Sequence, residues 1–264
     1  NANTAMDREL VQRMLCESFG YFGKLNLPYV RMGKIDSLDL FGTTELIIMA
    51  FYWHNRFRYK RVLDIGANIG LHSILMDRLK WQVKAFEPDY QHHGWLLGNL
   101  QRNSCTHVQP YMAAIHTEDG EMNFIRVLNN LTGNHLEGFK DSYGPTEQTI
   151  VPIVDCRPLF DWADFAKIDC EGNEAELLLT TTKSQMKHLD IIAEVRNEAN
   201  AMKIYDHFAS IGVPIWSQKN NWDQVKSLPQ MPHINREGSI FIGHNPPFAL
   251  TDHLQGVVSE MQST

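Results

Sequence analysis

The sequence predicts an α/β fold with a central, mostly parallel sheet, an antiparallel last strand and helices on both faces. Short apolar segments of strand length alternate along the chain with segments of helical periodicity, which is the order of a doubly wound sheet. A glycine-containing turn joins the first of these strands to the helix that follows it. A chain of 264 residues with 43% hydrophobic content can build one large core.

The first strand–turn–helix unit occupies residues 61–74 and consists of a short apolar strand that ends at Asp64, a turn with glycines at 66 and 70, and the start of a helix. Gly66 lets the backbone bend tightly without a Cβ clash, and Gly70 lets the helix begin close to a ligand. Asp64 stands at the end of the strand, two residues before the first glycine. The helix carries apolar residues on one face, at positions 71, 74, 75 and 79.

The spacing of this turn indicates the kind of ligand. A dinucleotide-binding turn has the pattern G-x-G-x-x-G, which lets backbone amides approach a pyrophosphate. Here Asn68, after Ala67, replaces the middle glycine, so the turn favours a nucleoside cofactor without phosphates. The cofactor that this pattern predicts is S-adenosylmethionine.

The second strand of the unit, 82–86, leads directly into Glu87 and Pro88. In nucleotide-binding folds an acid about 20 residues after the turn accepts hydrogen bonds from the ribose hydroxyls. Glu87 has that position, and two neighbouring hydroxyls can both donate to one carboxylate. The alternative explanation is a solvated acid at a strand end. We predict that Glu87 and Pro88 contact the cofactor.

The middle of the chain is less regular. A helix is predicted over 89–103 and a third strand over 107–115, in which Ala114 leaves room for an adenine ring. Residues 121–127 alternate in polarity, which indicates a further strand or hairpin arm. Residues 128–148 show almost no periodicity, and a loop of this length inside a domain is usually functional or disordered. We predict that it covers the acceptor side of the site.

The second half of the chain supplies the remaining strands. The segments with a strand pattern are 165–169, 189–195, 214–218 and 238–243, and the last of them is predicted to insert antiparallel. Ligands of such sheets bind beyond the carboxyl ends of the strands. Acidic residues are therefore predicted to share this edge: Asp64, Glu87, Asp169 and those around Glu194.

The chain divides into three parts. Residues 1–55 form a helical and loop segment that is predicted to cover the substrate, and 56–250 form the cofactor-binding domain of a single-domain protein. Residues 251–264 form a C-terminal tail. In the first part, Thr44 and Glu45 either reach the amino-acid end of the cofactor or serve as a helix cap and a first-turn acid.

Three sequence blocks occur in order along the chain: DIGANIG at 64–70, AFEPD at 85–89 and KIDCEGNE at 167–174. In this register, and with the segment 151–162, they resemble the FkbM family of S-adenosylmethionine-dependent methyltransferases. The resemblance extends over roughly residues 45–200. It implies a Rossmann-like class I methyltransferase fold and O-methylation of a hydroxyl on a sugar or another small-molecule acceptor.

Methyl transfer to a hydroxyl requires alignment of the reacting atoms and removal of the hydroxyl proton. Asp169 and Glu171 are the predicted catalytic acids, because they follow the fourth parallel strand beside the expected position of the methyl group. By residue type alone, three histidines are alternative bases: His72, His116 and His135.

A divalent cation is an open alternative for activating the acceptor. Asp169 and Glu171, with Glu194 or Asn197, offer oxygen ligands of the kind that magnesium prefers. The same acids can instead be stabilised by a helix N-terminus or by a salt bridge to Arg196. The metal ligands are therefore left unassigned.

Composition limits the function further. The net charge of −7 argues against a general nucleic-acid-binding protein, and no apolar run approaches the roughly 20 residues that span a membrane. The polar start of the chain shows no signal peptide, and the four cysteines lack C-x-x-C spacing. We therefore predict a cytoplasmic protein with a small-molecule or glycan acceptor, with its oligomeric state open.

Two other functions stay open at this point. An NAD(P)-dependent Rossmann oxidoreductase would use the same sheet, but the central glycine and a Tyr-x-x-x-Lys pair are missing. A non-catalytic protein that keeps the fold and the cofactor is the other alternative, and the intact acids and glycines of the motifs argue against it.

Overall fold

The structure is a computed structural model that describes residues 2–128, 133–138, 144–170 and 172–248. Within these residues the strands are β1 (Arg31–Met32), β2 (Ile35–Asp36), β3 (Arg61–Ile65), β4 (Gln82–Phe86), β5 (Val108–Tyr111), β6 (Ala114–His116), β7 (Gly120–Val127), β8 (His135–Leu136), β9 (Thr146–Asp155), β10 (Phe165–Ile168), β11 (Asp190–Glu194), β12 (Ile215–Ser217), β13 (Asp223–Gln224) and β14 (Ser239–Ile242). The helices are α1 (Ala2–Glu17), α2 (Thr43–His54), α3 (Leu71–Arg78), α4 (Tyr90–Arg102), α5 (Cys156–Trp162), α6 (Glu174–Leu178) and α7 (Glu198–Ile211).

The main sheet has eight strands in the order β13-β12-β14-β11-β10-β3-β4-β5. From β5 to β11 neighbouring strands are parallel, whereas β14 pairs antiparallel with both β11 and β12. The order reverses at β3, so a crevice opens between the ends of β3 and β10, where ligands of such sheets bind. The predicted fold class, a Rossmann-like class I methyltransferase fold, is confirmed.

The two faces of the sheet carry separate hydrophobic cores. Side chains of a strand point alternately to opposite faces, so Val62 of β3 packs against α1 to α4 while Leu63 packs against α5 to α7. Helix α2 belongs to the first core, because Phe51 and Tyr52 are fully buried beside Phe165 of β10. The segment before β3 is thus packed on the sheet.

The predicted third strand, 107–115, is wrong as a single element. The main-sheet strand β5 ends at Tyr111, and the chain then bends so that β6 joins a second sheet of order β6-β9-β7-β8. Pro110 lacks an N–H group, and it lies in the edge strand of the main sheet, where one is dispensable.

The second sheet contains the longest strand of the described residues, β9, which pairs antiparallel with β7 along eight positions. The assignment of 128–148 as one loop is wrong for its described residues. Strand β8 lies in the middle of this segment, and β9 begins at Thr146. Only Val151 and Ile153 of the ten residues of β9 are buried, so its sequence lacks an apolar alternation along its whole length. Residues 129–132 and 139–143 lie outside the described residues.

The two predicted N-terminal helices, 7–19 and 43–55, are found as α1 and α2, with α1 beginning and ending earlier. Across the described ranges, none of the helices has both the length and the apolar character that crossing a lipid bilayer requires.

Candidate active site

The turn after β3 is shaped by backbone contacts. Gly66 has φ +82°, and a Cβ atom there would lie 1.8 Å from the carbonyl oxygen of Asp169, at the end of the neighbouring strand β10. The amides of Gly66 and Ala67 both donate to the carbonyl oxygen of Phe86, at 3.0 and 2.9 Å. Glycine is therefore required where three strand ends converge.

Gly70 has a different role from the predicted one. Its φ is +89°, and a Cβ atom there would lie 2.5 Å from Cδ1 of Leu96 in α4. Gly70 is absent from the wall of the main cavity, as far as the described residues show. It allows α3 and α4 to pack closely, and its contribution to a ligand site is indirect.

Asp64 also lies beneath the cavity surface. The side chain is fully buried and accepts a hydrogen bond from Ser73 Oγ of α3 at 2.5 Å. The predicted direct contact between Asp64 and the cofactor has no support in the lining of the cavity among the described residues. The carboxylate instead ties the start of α3 to the end of β3.

A cavity lies beyond the carboxyl ends of β3, β4 and β10, where the fold predicts a ligand. Its wall includes these residues of the sequence motifs: Gly66, Ala67, Asn68, Glu87, Pro88, Ala114 and Asp169. Residues from the segment before β3 and from the second sheet complete it: Asp39, Leu40, Glu45, Phe124, Asn134 and Leu136. The cavity thus joins three parts of the chain that are far apart in sequence.

Glu87 has the environment expected of a group that accepts hydrogen bonds from hydroxyls. Its side chain is 6% exposed, and its two oxygens accept from the backbone amides of Asn68 at 2.8 Å and Asp89 at 2.9 Å. Burial raises the pKa of Glu87 to about 8, and the two backbone donors only partly offset this effect. Without a further donor the carboxyl group is therefore mostly protonated at neutral pH.

The wall beside Glu87 is apolar and narrow. Pro88, Ala113 and Ala114 line it, with the ring of Phe86 stacked on Tyr111 at a centroid distance of 4.8 Å. The small side chains of Ala113 and Ala114 leave room for a planar ring. The geometry therefore suits an aromatic base next to the carboxyl group of Glu87.

Two polar atoms in this wall have no hydrogen-bond partner among the described residues: Asn68 Oδ1 and His92 Nε2. His92 is 4% exposed, and burial lowers its pKa to about 4, so the imidazole is neutral. Each of these atoms exposes less than 1 Å² of surface, so both lie beneath the cavity surface. His92 was not predicted as a site residue, because its only distinction in the sequence is a place in the first turn of α4.

The second sheet is held against this wall by a buried ion pair. Arg126 of β7 is 3% exposed, and its Nε donates to Asp89 Oδ2 at 2.5 Å, while Nη1 donates to Tyr90 Oη at 2.6 Å and pairs with Glu147. Asn134 donates to the same oxygen of Asp89 at 3.0 Å. These bonds place Asn134 in the cavity wall.

The other side of the cavity is charged. Lys167 of β10 is 4% exposed, with Nζ 3.5 Å from Asp169 Oδ2. Burial opposes its charge, but Asp169, Asp64 and Glu45 outweigh burial and raise the pKa of Lys167. Burial also opposes the charge of Asp169, and Lys167 and Arg196 nevertheless hold its pKa below the usual value. Both groups are therefore ionised at neutral pH.

Of the three candidate histidines, only His72 lies in the cavity wall of the described structure. His72 Nε2 lies 3.1 Å from Glu45 Oε2, and His72 Nδ1 lies 2.9 Å from the hydroxyl of Tyr52. His135 is buried, with Nδ1 2.8 Å from the carbonyl oxygen of Gly133. The chain Tyr52–His72–Glu45 connects the core to the cavity.

Two of the predicted magnesium ligands, Asp169 and Glu194, lie with Glu174 around the side chain of Arg196. Asp169, Glu174 and Glu194 bring carboxylate oxygens within 4.8 Å of one another, but the guanidinium of Arg196 lies among them. Its nitrogens are 2.5 Å from Glu194 Oε2, 3.4 Å from Asp169 Oδ1 and 3.5 Å from Glu174 Oε1. The cluster thus carries its own cation, and magnesium does not fit there. Glu171 lies outside the described residues.

No family model and no curated protein matches this sequence. Solved methyltransferase structures resemble it at low identity. The human methyltransferase 10 domain containing protein has 10% identity and a TM-score of 0.48, covering 92% of this chain and 98% of that one. Precorrin-6y C5,15-methyltransferase from Geobacter metallireducens has 14% identity and a TM-score of 0.40, covering 74% and 85%. Similarity at this level carries no information on activity or substrate.

Proposed function

We propose that this protein is an S-adenosylmethionine-dependent methyltransferase that methylates a hydroxyl group of a sugar or another small-molecule acceptor. The observation that carries the proposal is the carboxyl group of Glu87, buried in the cavity wall beside the apolar side chains of Pro88, Ala113 and Ala114. A nucleoside needs both features: a group that accepts hydrogen bonds from the ribose hydroxyls and an apolar surface that contacts the base.

The residues present fit an adenosine group. Glu87 would accept hydrogen bonds from both ribose hydroxyls, and Pro88 and Ala114 would contact the adenine. The wall formed by Gly66 and Ala67 would border the substituent on the 5′ carbon of the ribose.

The chemistry follows from the charged side of the cavity. S-adenosylmethionine would supply a methyl group bonded to a positively charged sulfur. The acceptor oxygen would attack the methyl carbon in line with the carbon–sulfur bond, and the sulfur would leave as the neutral thioether of S-adenosylhomocysteine. Asp169 is ionised and can take the proton that the acceptor hydroxyl loses. The ammonium of Lys167 can stabilise the negative charge that develops on that oxygen. Arg196 already balances the neighbouring acids, so the proposal needs no metal ion.

A dinucleotide suits this cavity less well. Backbone amides of the turn are engaged within the protein: those of Gly66 and Ala67 donate to Phe86, and those of Asn68 and Gly70 donate to Glu87 and Ala67. They are not available to hold a pyrophosphate. These bonds argue against the NAD(P)-dependent oxidoreductase.

The proposal is tested by calorimetric titration of chelator-treated protein with S-adenosylhomocysteine and, separately, with NADH. We expect micromolar binding of S-adenosylhomocysteine that magnesium does not change, and no binding of NADH. Transfer of a labelled methyl group in a screen of glycan and small-molecule hydroxyls would then identify the acceptor. Binding of NADH alone would refute the proposal.

We extend the proposal to partners and location. A net charge of −7 supports a small-molecule or glycan acceptor over a nucleic acid, since a nucleic-acid-binding surface is basic. A gel-shift experiment with duplex and single-stranded nucleic acid is the direct check. The cytoplasmic location stays a prediction, which imaging of the tagged protein in its own cell can test.

A further inference from the structure

The charged side of the cavity lies at a fixed distance from Glu87. Strands β4 and β10 both pair with β3, and adjacent strands are about 4.8 Å apart, so their ends are separated by roughly 10 Å. Glu87 follows β4 and Asp169 follows β10. A ligand that spans about 10 Å from Glu87 across the end of β3 therefore reaches Asp169.

Glu45 stands on this side of the cavity, on the first turn of α2. Its Oε2 is 3.1 Å from His72 Nε2, which must carry a hydrogen because a carboxylate can only accept. In the neutral imidazole, Nδ1 is then the acceptor, and Tyr52 donates to it at 2.9 Å. His72 and Tyr52 are buried, so they fix the position of the Glu45 carboxylate.

This arrangement exceeds what a helix needs at its start. An acid on the first turn stabilises a helix through the dipole, and that role requires neither a histidine partner nor a place in a cavity wall. Burial opposes the charge of Glu45, but the hydrogen bond from His72 and the charge of Lys167 lower its pKa. The side chain keeps 30% of its surface exposed. An ionised, oriented carboxylate therefore faces the cavity.

The charges around Glu45 match a zwitterion. The ammonium of Lys167 and the carboxylates of Glu45 and Asp169 lie in the same wall, so a ligand group with one positive and one negative charge finds partners for both. The 5′ substituent of S-adenosylmethionine ends in such a group, an α-amino acid.

We propose that Glu45, oriented by His72 and Tyr52, binds the α-ammonium group at the amino-acid end of the nucleoside cofactor. This inference rests on the proposed function and assigns a ligand-binding role to the segment before β3. The ammonium donates to the carboxylate and no covalent bond changes. Glu45 thereby gives the site a higher affinity for the complete cofactor than for nucleosides that lack the amino acid.

The test compares two ligands that share the adenosine and the sulfur. S-adenosylhomocysteine carries the amino acid, and 5′-methylthioadenosine lacks it. Dissociation constants are measured by calorimetry for wild type, Glu45→Gln and Glu198→Gln. Glu198 is a matched control because it is an exposed first-turn acid of another helix, α7. Thermal unfolding of each variant confirms that it is folded.

We expect Glu45→Gln to weaken binding of S-adenosylhomocysteine by about 10- to 100-fold, the effect of losing a hydrogen bond between charged groups. Binding of 5′-methylthioadenosine should change by less than about twofold, and Glu198→Gln should change neither ligand. An unfolded Glu45→Gln would be replaced by Glu45→Asp, whose shorter side chain should give the same selective loss.

Two results would overturn the inference while leaving the proposed function intact. One is unchanged binding of S-adenosylhomocysteine to Glu45→Gln, and the other is an equal loss for both ligands. If neither ligand binds the wild type, the proposed function fails and the inference fails with it.

Discussion

Binding of an adenosine ligand should depend on pH through Glu87. The carboxyl group has a pKa of about 8 because it is buried, and hydroxyls that donate to it favour its ionised form. A ligand held by both ribose hydroxyls therefore binds the ionised state and displaces a proton at any pH below about 8. Its affinity should rise with pH up to that value and then level off.

The magnitude follows from the protonated fraction. With a pKa of about 8, protonation should weaken binding about tenfold at pH 7 and about a hundredfold at pH 6, relative to pH 9 and above. About 0.9 proton should be released per ligand bound at pH 7. Asp169 and Glu45 have lowered pKa values and His92 has a pKa of about 4, so these groups add little in this range.

The assay is calorimetry with 5′-methylthioadenosine, which has no amino group that titrates near pH 9. Titrations at pH 7 in phosphate and in Tris differ in buffer ionisation enthalpy and so count the released protons. Glu87→Gln has no ionisable group at this position, and its binding should be weaker and free of this slope. A wild-type affinity that stays constant between pH 6 and 8 would refute the reasoning, as would the same slope in Glu87→Gln.

Three further predictions concern the fold and the chemistry. Gly66→Ala should lower the free energy of unfolding by about 3 kcal/mol or more, because the new Cβ meets a backbone carbonyl at positive φ. The control Gly94→Ala, on an exposed turn of α4, should leave that free energy unchanged or raise it. Urea denaturation measures both variants. Arg126→Met should cost about 3–5 kcal/mol, because it leaves Asp89 buried without its cation, and full stability in a melt would contradict the ion pair. Asp169→Asn should keep measurable binding of S-adenosylhomocysteine and lower turnover by about 100-fold or more, and full turnover would exclude Asp169 as the base.

Local sequence was sufficient for the opening unit of the sheet. Residues 82–86 were predicted as a strand with the bounds that the structure shows for β4, and the predicted strand that ends at Asp64 is one residue shorter than β3. Glu87 was placed in the site by its distance from the glycine turn alone, because one strand, one turn and one helix have nearly constant lengths in this fold. The antiparallel strand near the C-terminus was predicted as well, by analogy with the fold.

Local sequence could not separate direct ligand contacts from supporting ones. Gly70 and Asp64 belong to the same motif as Glu87, yet Gly70 packs on Leu96 and Asp64 bonds Ser73. A motif records which residue types are needed at a turn. It does not record whether a residue faces the cavity or the helix behind it.

The sequence by itself determined the fold class, the edge of the sheet where the cavity lies and the acid proposed to hold the ribose, because these follow from hydrophobic periodicity and fixed spacing. Only the tertiary structure decided that Arg196 occupies the acidic cluster, that Arg126 fixes the second sheet and that Glu45 is oriented by His72. The physical reason is that ion pairs and hydrogen bonds join residues far apart in the chain. Their energy depends on distance and burial, which leave no periodic trace in the sequence.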